Sequence, residues 1–318
     1  MSRKSTKNRD RDANQTRLDT ITQKRVAMNS IFLCAISNIA SGSCNEDCGF
    51  CAQSARYQTK IERFRSKPVD RIKNEAIAAA KAGAVGFCLV TAGRSITDET
   101  LEYVSRAAKA VKALNLDLKI IACNGTGTKD RFTELKKNGV DLYNHNLETS
   151  ERFFPNICST HGWRERYETN EAAASAGLGL VLGGILGMGE SDEDRVDLLK
   201  TIAAFKPMSS PMNFYIARPE LPIKQPVMNA DEALKWVRKA REILGPMPRI
   251  MLAGGKEQAF GDRLMEAIEA GANAMVVGNY LTTEGMDSSR LKETIEGAGY
   301  KVATSAECKA AFAAMGAS

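Results

Sequence analysis

The chain has 318 residues, 43% hydrophobic and 26% charged, the balance of an ordinary globular protein. No run of 18 apolar residues is long enough to span a membrane and no secretory pattern opens the chain, which predicts a cytoplasmic protein without a membrane partner. The net charge of +6 does not describe a nucleic-acid-binding face, because residues 1–25 carry eight Lys or Arg against three acids and so hold five of the six charges. Residues 1–17 are polar throughout and read as a mobile tail before a single domain, 18–318.

After the tail, short apolar runs alternate with helical patterns. The runs are Ile31–Ala40, Gly86–Gly93, Leu118–Gly125, Asp141–Glu148, Gly179–Gly187, Met212–Ala217, Arg249–Gly255 and Ala274–Leu281, eight candidate strands. Between them the pattern predicts helices over Arg71–Ala82, Asp98–Leu114, Lys129–Asn138, Arg164–Ala176, Glu193–Phe205, Asp231–Leu244 and Gly261–Ala270. Gly83, Gly139, Gly177, Gly245 and Gly271 follow five of these helices, where a left-handed C-cap is needed. Strand–helix alternation implies parallel strands with right-handed crossovers, and eight such units predict an α/β fold of the closed (β/α)₈ TIM-barrel type over an open doubly wound sheet.

The eight cysteines are Cys34, Cys44, Cys48, Cys51, Cys88, Cys123, Cys158 and Cys308. A disulfide framework does not suit a large chain without a secretory pattern; thiolates held for metal do. Three of them form C-x₃-C-x₂-C at Cys44, Cys48 and Cys51, directly after the first candidate strand and so on a loop at the barrel mouth. Three thiolates grip three irons of a [4Fe–4S] cluster and leave the fourth iron open for a ligand. A structural zinc knuckle and a plain electron-transfer cluster are the alternatives. Zinc normally closes with a fourth Cys or His, and neither His145 nor His161 is near the triad in sequence.

With Phe50 before its last cysteine, the triad resembles the signature of the radical S-adenosylmethionine (SAM) superfamily. That resemblance implies SAM on the open iron and its reductive cleavage to a 5′-deoxyadenosyl radical. Phe50 and the run Gly183-Gly184-Ile185-Leu186-Gly187-Met188-Gly189-Glu190, which fits a G-x-I-x-G-x-x-E pattern, are then implied to lie near the adenine, with Ile185 contacting SAM. Four further segments resemble the biotin synthase family: SCNEDCGFCAQSARY from Ser43, YNHNLETS from Tyr143, Pro211-Met212-Asn213 and Tyr280-Leu281-Thr282-Thr283. On a strand, Asn144, Asn146 and Glu148 share a face, and two amides with a carboxylate suit a ureido ring and ribose hydroxyls. The resemblance implies Asn144, Asn146 and Asn213 for dethiobiotin and Glu148 for SAM. It also implies an electron donor such as flavodoxin or ferredoxin, and a homodimer. No acid–base pair beyond the cofactor ligands is called for.

The chain departs from the family at the sulfur-donating [2Fe–2S] site, which uses three Cys and one Arg. Cys88 and Cys123 match two of these, but Val181 and Met251 stand at the other two positions. Cys34, Cys88, Cys123 and Cys158 lie on or just after the first four strands, so the expectation is an auxiliary cluster bound by these four and richer in iron than [2Fe–2S]. Cys308, beyond the last barrel strand, is expected to be incidental. Two other readings stay open. One is a radical SAM barrel enzyme that rearranges an amino acid or matures hydrogenase; the other is a non-enzymatic iron–sulfur carrier.

Overall fold

The computed structural model describes residues 29–283 and 285–315; the polar segment 1–17 lies outside them. Strands β1 (Ser30–Ala40), β2 (Ala84–Thr91), β3 (Lys119–Cys123), β4 (Leu142–Asn144), β5 (Gly179–Val181), β6 (Gly184–Leu186), β7 (Ser209–Phe214), β8 (Arg249–Leu252) and β9 (Ala274–Val277) are parallel to their neighbours. β5 and β6 are two halves of one stave. β9 returns to β1, pairing Phe32 with Ala274 through Ala35 with Val277, and this closes the barrel and excludes the open sheet. Helices α1 (Val69–Lys81), α2 (Asp98–Lys112), α3 (Lys129–Lys137), α4 (Trp163–Ser175), α5 (Asp192–Phe205) and α6 (Ala230–Leu244) form the crossovers.

Local chemistry explains the boundaries. The Thr97 side chain accepts from the Thr100 amide at the start of α2, and Ser191 and Asp194 make a reciprocal capping box on α5. All five glycines expected at helix ends have positive φ, from 73° at Gly245 to 119° at Gly271. The strands alternate between two apolar cores. Leu33, Phe87 and Ile120 face the helices, while Cys34, Cys88 and Ile121 fill the barrel.

Three elements differ from the sequence pattern. The sixth stave starts at Ser209, not Met212, because Ser209-Ser210-Pro211 looks like a turn yet pairs with Arg249–Met251. The fifth is interrupted at Leu182–Gly183, where a Cβ on Gly183 would come within 1.9 Å of the Pro211 carbonyl oxygen. The seventh expected helix, Gly261–Ala270, is reduced to a 3₁₀ turn (Gly261–Arg263) and α8 (Glu266–Glu269), and the helix α7 (Lys256–Phe260) that precedes it ends where Gly261 takes φ 52°.

Beyond β9, α9 (Ser288–Gly297), β10 (Lys301–Val302) and α10 (Ser305–Ala314) close the floor. β10 pairs with Ser30 and Ile31 at the start of β1. α10 pushes Cys308 and Phe312 into the inner core, where the Arg249 guanidinium lies over the rings of Phe32 and Phe312. Cys308 is therefore a buried floor residue, with its Sγ 3.6 Å from Arg249 Nη2. Among the described residues no helix is long and apolar enough to cross a membrane.

Candidate active site

The cysteine loop leaves the top of β1 and is held from two sides. The Cys44 amide donates to the Gln53 carbonyl at 3.3 Å, and the Ala55 amide donates to the Cys44 carbonyl at 2.7 Å. From across the barrel mouth, the segment after β4 grips it. The Gly49 amide donates to the Ile157 carbonyl at 2.8 Å, and the Asp47 carboxylate accepts from the amides of Ser159 (2.9 Å) and Thr160 (3.1 Å). Burial opposes the Asp47 charge, but these bonds and those from the Ser159 and Cys158 side chains hold its pKa well below the carboxylate range. The carboxylate is thus a permanent clamp.

The three triad thiols line one cavity with Phe50, Asn144, Asn146, Glu148 and Arg166. Regular pairing of β4 ends at Asn144, but the chain runs on beside the fifth stave: Leu147 donates to the Gly183 carbonyl at 3.0 Å, and Ile185 donates to the Glu148 carbonyl at 2.8 Å. Glu148 adopts φ 68°, unusual for a residue with a side chain, which turns its carboxylate into the cavity. There its Oε1 meets Arg166 Nη2 at 3.3 Å, and Arg166 Nη1 meets His145 Nε2 at 3.3 Å. Burial, with Arg166 adding to the effect, keeps His145 well below its ordinary pKa and hence neutral. Burial raises the Glu148 pKa, while Arg166 opposes the rise.

Two atoms of this arrangement, Glu148 Oε2 and Arg166 Nε, are buried with no hydrogen-bond partner. A buried carboxylate and guanidinium with unused positions call for a polar ligand bearing both donors and acceptors. The thiols have matching chemistry for metal. Burial pushes Cys51 up to about 11 and raises Cys44, and the bond to Cys158 followed by burial raises Cys48. Metal ligation must therefore displace their protons.

Lower in the barrel, Cys34, Cys88 and Cys123 point inward from three successive strands, with Val181 and Met251 in the same inner core. Cys34 pairs with Gly86, Cys88 with Ile36, and Cys123 with Val90, so each thiol stands two residues above its neighbour in register. Strand tilt in an eight-stranded barrel lowers the register line by about one residue per strand. The net rise is then about one residue, roughly 3 Å, between successive thiols. Burial pushes Cys34 and Cys123 up to about 12 and Cys88 well above its ordinary value.

Cys158 does not join these three. It belongs to the outer core, and its Sγ lies 3.6 Å from Cys48 Sγ. The 3₁₀ turn Phe154–Asn156 folds the chain back over the triad and carries Cys158 there. His161 comes with it, 3.2 Å from Cys158, so a His does sit beside the triad despite its distance in sequence. Asn213 is also placed differently from the other two amides. Its Nδ2 donates to the Gly184 carbonyl and its Oδ1 accepts from the Gly254 amide, so the amide bridges two staves and keeps one N–H and one lone pair. Ile185, its register partner, bears on the site by holding the Glu148 carbonyl. Arg166 escaped the sequence reading because one Arg in a charged helix start, Arg164-Glu165-Arg166, carries no sign of facing inward.

Comparison with known proteins agrees with this geometry. The radical SAM superfamily profile matches residues 38–202, and that of the Biotin and Thiamin Synthesis associated domain matches 211–301. A biotin synthase of Sulfurovum sp. (strain NBC37-1) is 51% identical over 277 residues, covering 87% of this chain and 97% of that protein. One from Wolinella succinogenes is 49% identical over 276 residues, covering 87% and 99%. The chain belongs to the biotin synthase family. Biotin synthase relatives also include one from Helicobacter hepaticus, 51% identical over 276 residues with 87% and 97% covered. Among solved structures, methylornithine synthase superposes with a TM-score of 0.75 at 17% identity, over 91% of this chain and 89% of that one. The [FeFe]-hydrogenase maturase of Carboxydothermus hydrogenoformans gives 0.70 at 18%, over 87% and 70%. These two likenesses describe the barrel alone.

Membership of the biotin synthase family implies a [4Fe–4S] cluster and SAM, and the residues present fit both. Cys44, Cys48 and Cys51 are the donor set for a cluster with one open iron. Arg166 and Glu148, with their unpaired buried atoms, fit the charged and hydroxylated parts of SAM.

Proposed function

We propose that this chain inserts sulfur into dethiobiotin to form biotin. The observation that carries the reading is the convergence of the triad, the Arg166–Glu148 pair and the amides of Asn144 and Asn146 in one cavity, with Cys123 also in its wall. When bound, the cluster and SAM supply a carbon-centred radical able to take hydrogen from an unactivated carbon.

The protein's own part is binding and placement. Arg166 and Glu148 orient SAM, and Phe50 offers an aromatic edge to its adenine. Asn144 and Asn146 present amide donors and acceptors to the ureido ring; Asn146 Oδ1 accepts from the Gly183 amide at 3.1 Å, and its NH₂ lies on the side of the Glu148 carboxylate, with one of its two N–H bonds available for a carbonyl. Asn213 supports this wall by bridging the staves beside it. The barrel walls exclude water from a site that must handle radicals.

Sulfur comes from an auxiliary cluster held by Cys34, Cys88 and Cys123. Val has no donor atom and a thioether is weak beside thiolates, so Val181 and Met251 do not replace the family's other two ligands. Cys34 restores the count of three thiolates from a different stave while the Arg ligand is gone, and on this changed ligand set the reading of a cluster richer in iron than [2Fe–2S] rests. The reading includes a flavodoxin- or ferredoxin-type electron donor, a homodimer and a cytoplasmic setting.

The test is a Cys34→Ala, Cys88→Ala, Cys123→Ala variant reconstituted without oxygen. It should still cleave SAM with reductant yet make no biotin and lose the auxiliary share of iron and sulfide. Biotin formation at the wild-type rate would refute the auxiliary site, and a wild-type enzyme that cleaves SAM but leaves dethiobiotin unchanged would refute the substrate.

A further inference from the structure

Cys158 and His161 have no part in the chemistry above, yet they are built into the mouth with care. Cys158 is 5% exposed and the His161 side chain 7%. Cys158 Sγ stands 3.6 Å from Cys48 Sγ and 3.2 Å from His161 Nδ1, and the three ligand atoms all lie within 4.8 Å of one another. A tetrahedral cation with metal–sulfur bonds of about 2.3 Å and metal–nitrogen bonds of about 2.05 Å has edges of about 3.8 Å between sulfurs and about 3.6 Å between sulfur and nitrogen. The Cys48–Cys158 and Cys158–His161 edges are within a few tenths of an ångström of these, and the third, Cys48–His161, is no longer than 4.8 Å.

We propose that Cys48, Cys158 and His161 form a binding site for a single divalent first-row cation in the chain before its cluster is built. The fourth position is open to water or a small anion, with the Glu46 carboxylate behind His161. Glu46 Oε2 sits 2.6 Å from His161 Nδ1 and 2.7 Å from Thr160 Oγ1. Soft thiolate and imidazole donors suit ferrous iron and zinc, not magnesium or calcium.

The proposal rests on the reading of the triad as cluster ligands, because Cys48 is shared. A cation held by Cys48 and Cys158 and the finished cluster exclude one another, so the site empties as the cluster forms. Ferrous iron is the cation that cluster assembly consumes, and this geometry holds it one thiolate away from its final position. Zinc in the same place blocks assembly.

The test uses the full chain stripped of iron by chelation without oxygen, in the Cys34→Ala, Cys88→Ala, Cys123→Ala background so that the interior thiols do not contribute. Titration with Co²⁺ should show one tight equivalent with thiolate-to-cobalt charge-transfer absorption and the visible bands of tetrahedral cobalt. Cys158→Ala and His161→Gln should each weaken this binding about tenfold or more, since even the loss of an outer partner costs a metal site that much. If Cys44→Ala and Cys51→Ala weaken it while Cys158→Ala and His161→Gln do not, the triad alone binds the metal and the proposal falls.

A second measurement needs no variant at these positions. One equivalent of Zn²⁺ should protect both Cys48 and Cys158 of the iron-free chain from alkylation, read by peptide mass spectrometry; equal labelling of Cys158 with and without Zn²⁺ overturns the site. Failure of the cluster reading would show separately, as absence of reductive SAM cleavage by the reconstituted wild type.

Discussion

Gly184→Ala tests how the glycine pair positions the Glu148 carboxylate, proposed above to bind SAM. A Cβ on Gly184 would stand 2.6 Å from the Glu148 carbonyl oxygen, 2.7 Å from Leu198 Cδ2 and 3.0 Å from the Glu148 carbonyl carbon, where ordinary contact begins at 3.4 Å. Leu198 can turn its side chain aside. The Glu148 carbonyl cannot, because the Ile185 amide holds it at 2.8 Å and its residue already sits at φ 68°. The Glu148 backbone must recede by about 0.8 Å, the gap between 2.6 and 3.4 Å. Overpacking of this kind costs ~1–3 kcal/mol of stability. A displacement near 1 Å in a reacting constellation costs on the order of 10²-fold in rate.

The expected outcome is a variant that folds and keeps its iron, binds SAM more weakly by calorimetry, and forms 5′-deoxyadenosine roughly 10²-fold more slowly. Gly297→Ala serves as control: nothing lies within 4 Å of its Cβ, and at the end of α9 the change should be neutral or slightly stabilising. Wild-type SAM affinity and rate in Gly184→Ala would refute the claim that the Glu148–Gly184 contact sets the carboxylate.

Two further expectations follow from other contacts. Asn146→Ala should weaken dethiobiotin binding by about 5- to 150-fold, the equivalent of ~1–3 kcal/mol for a lost partner in a buried polar site, and an unchanged affinity would remove Asn146 from recognition. At the floor, burial opposes the Glu307 charge, but hydrogen bonds from Thr304 and from Ser30 (2.8 Å) and the Lys301 ammonium at 3.0 Å bring its pKa down to about 2. A depressed carboxylate contributes stability that is complete above its unfolded pKa of 4.5 and is lost as pH falls toward 2. Glu307→Gln should therefore cost about 1 kcal/mol at pH 7, after discount for solvent screening of this partly exposed group, and nothing near pH 2. Urea melts at several pH values decide it, and a cost that does not change with pH would contradict the assignment.

Much of this protein was legible before any coordinate. Strand–helix alternation, with glycines where helices must stop, specified the barrel, because each signal is local: a face repeats every second or every third to fourth residue whatever the chain does later. The triad was legible for the same reason, its three thiols falling on one short loop. Asn144, the last residue of β4, and Asn146 just beyond it are likewise close in sequence, and both line the cavity of the triad.

What lies across the barrel was not. Cys158 looked like a member of the interior thiol set because it follows the fourth stave, but a 3₁₀ turn folds it back onto Cys48, and a turn of that kind has no period to read. Cys308 lies beyond the last barrel strand, and only β10 pairing at the foot of β1, which brings α10 under the floor, shows that it is buried there. That Asn213 also bridges two staves, through the Gly184 carbonyl and the Gly254 amide, could be seen only once the sheet had closed. Sequence determined which residues belong to strands, helices and the cysteine loop. Closure of the sheet and the paths of the connections decided which side chains meet, because those depend on strand tilt and loop reach, which no local pattern encodes.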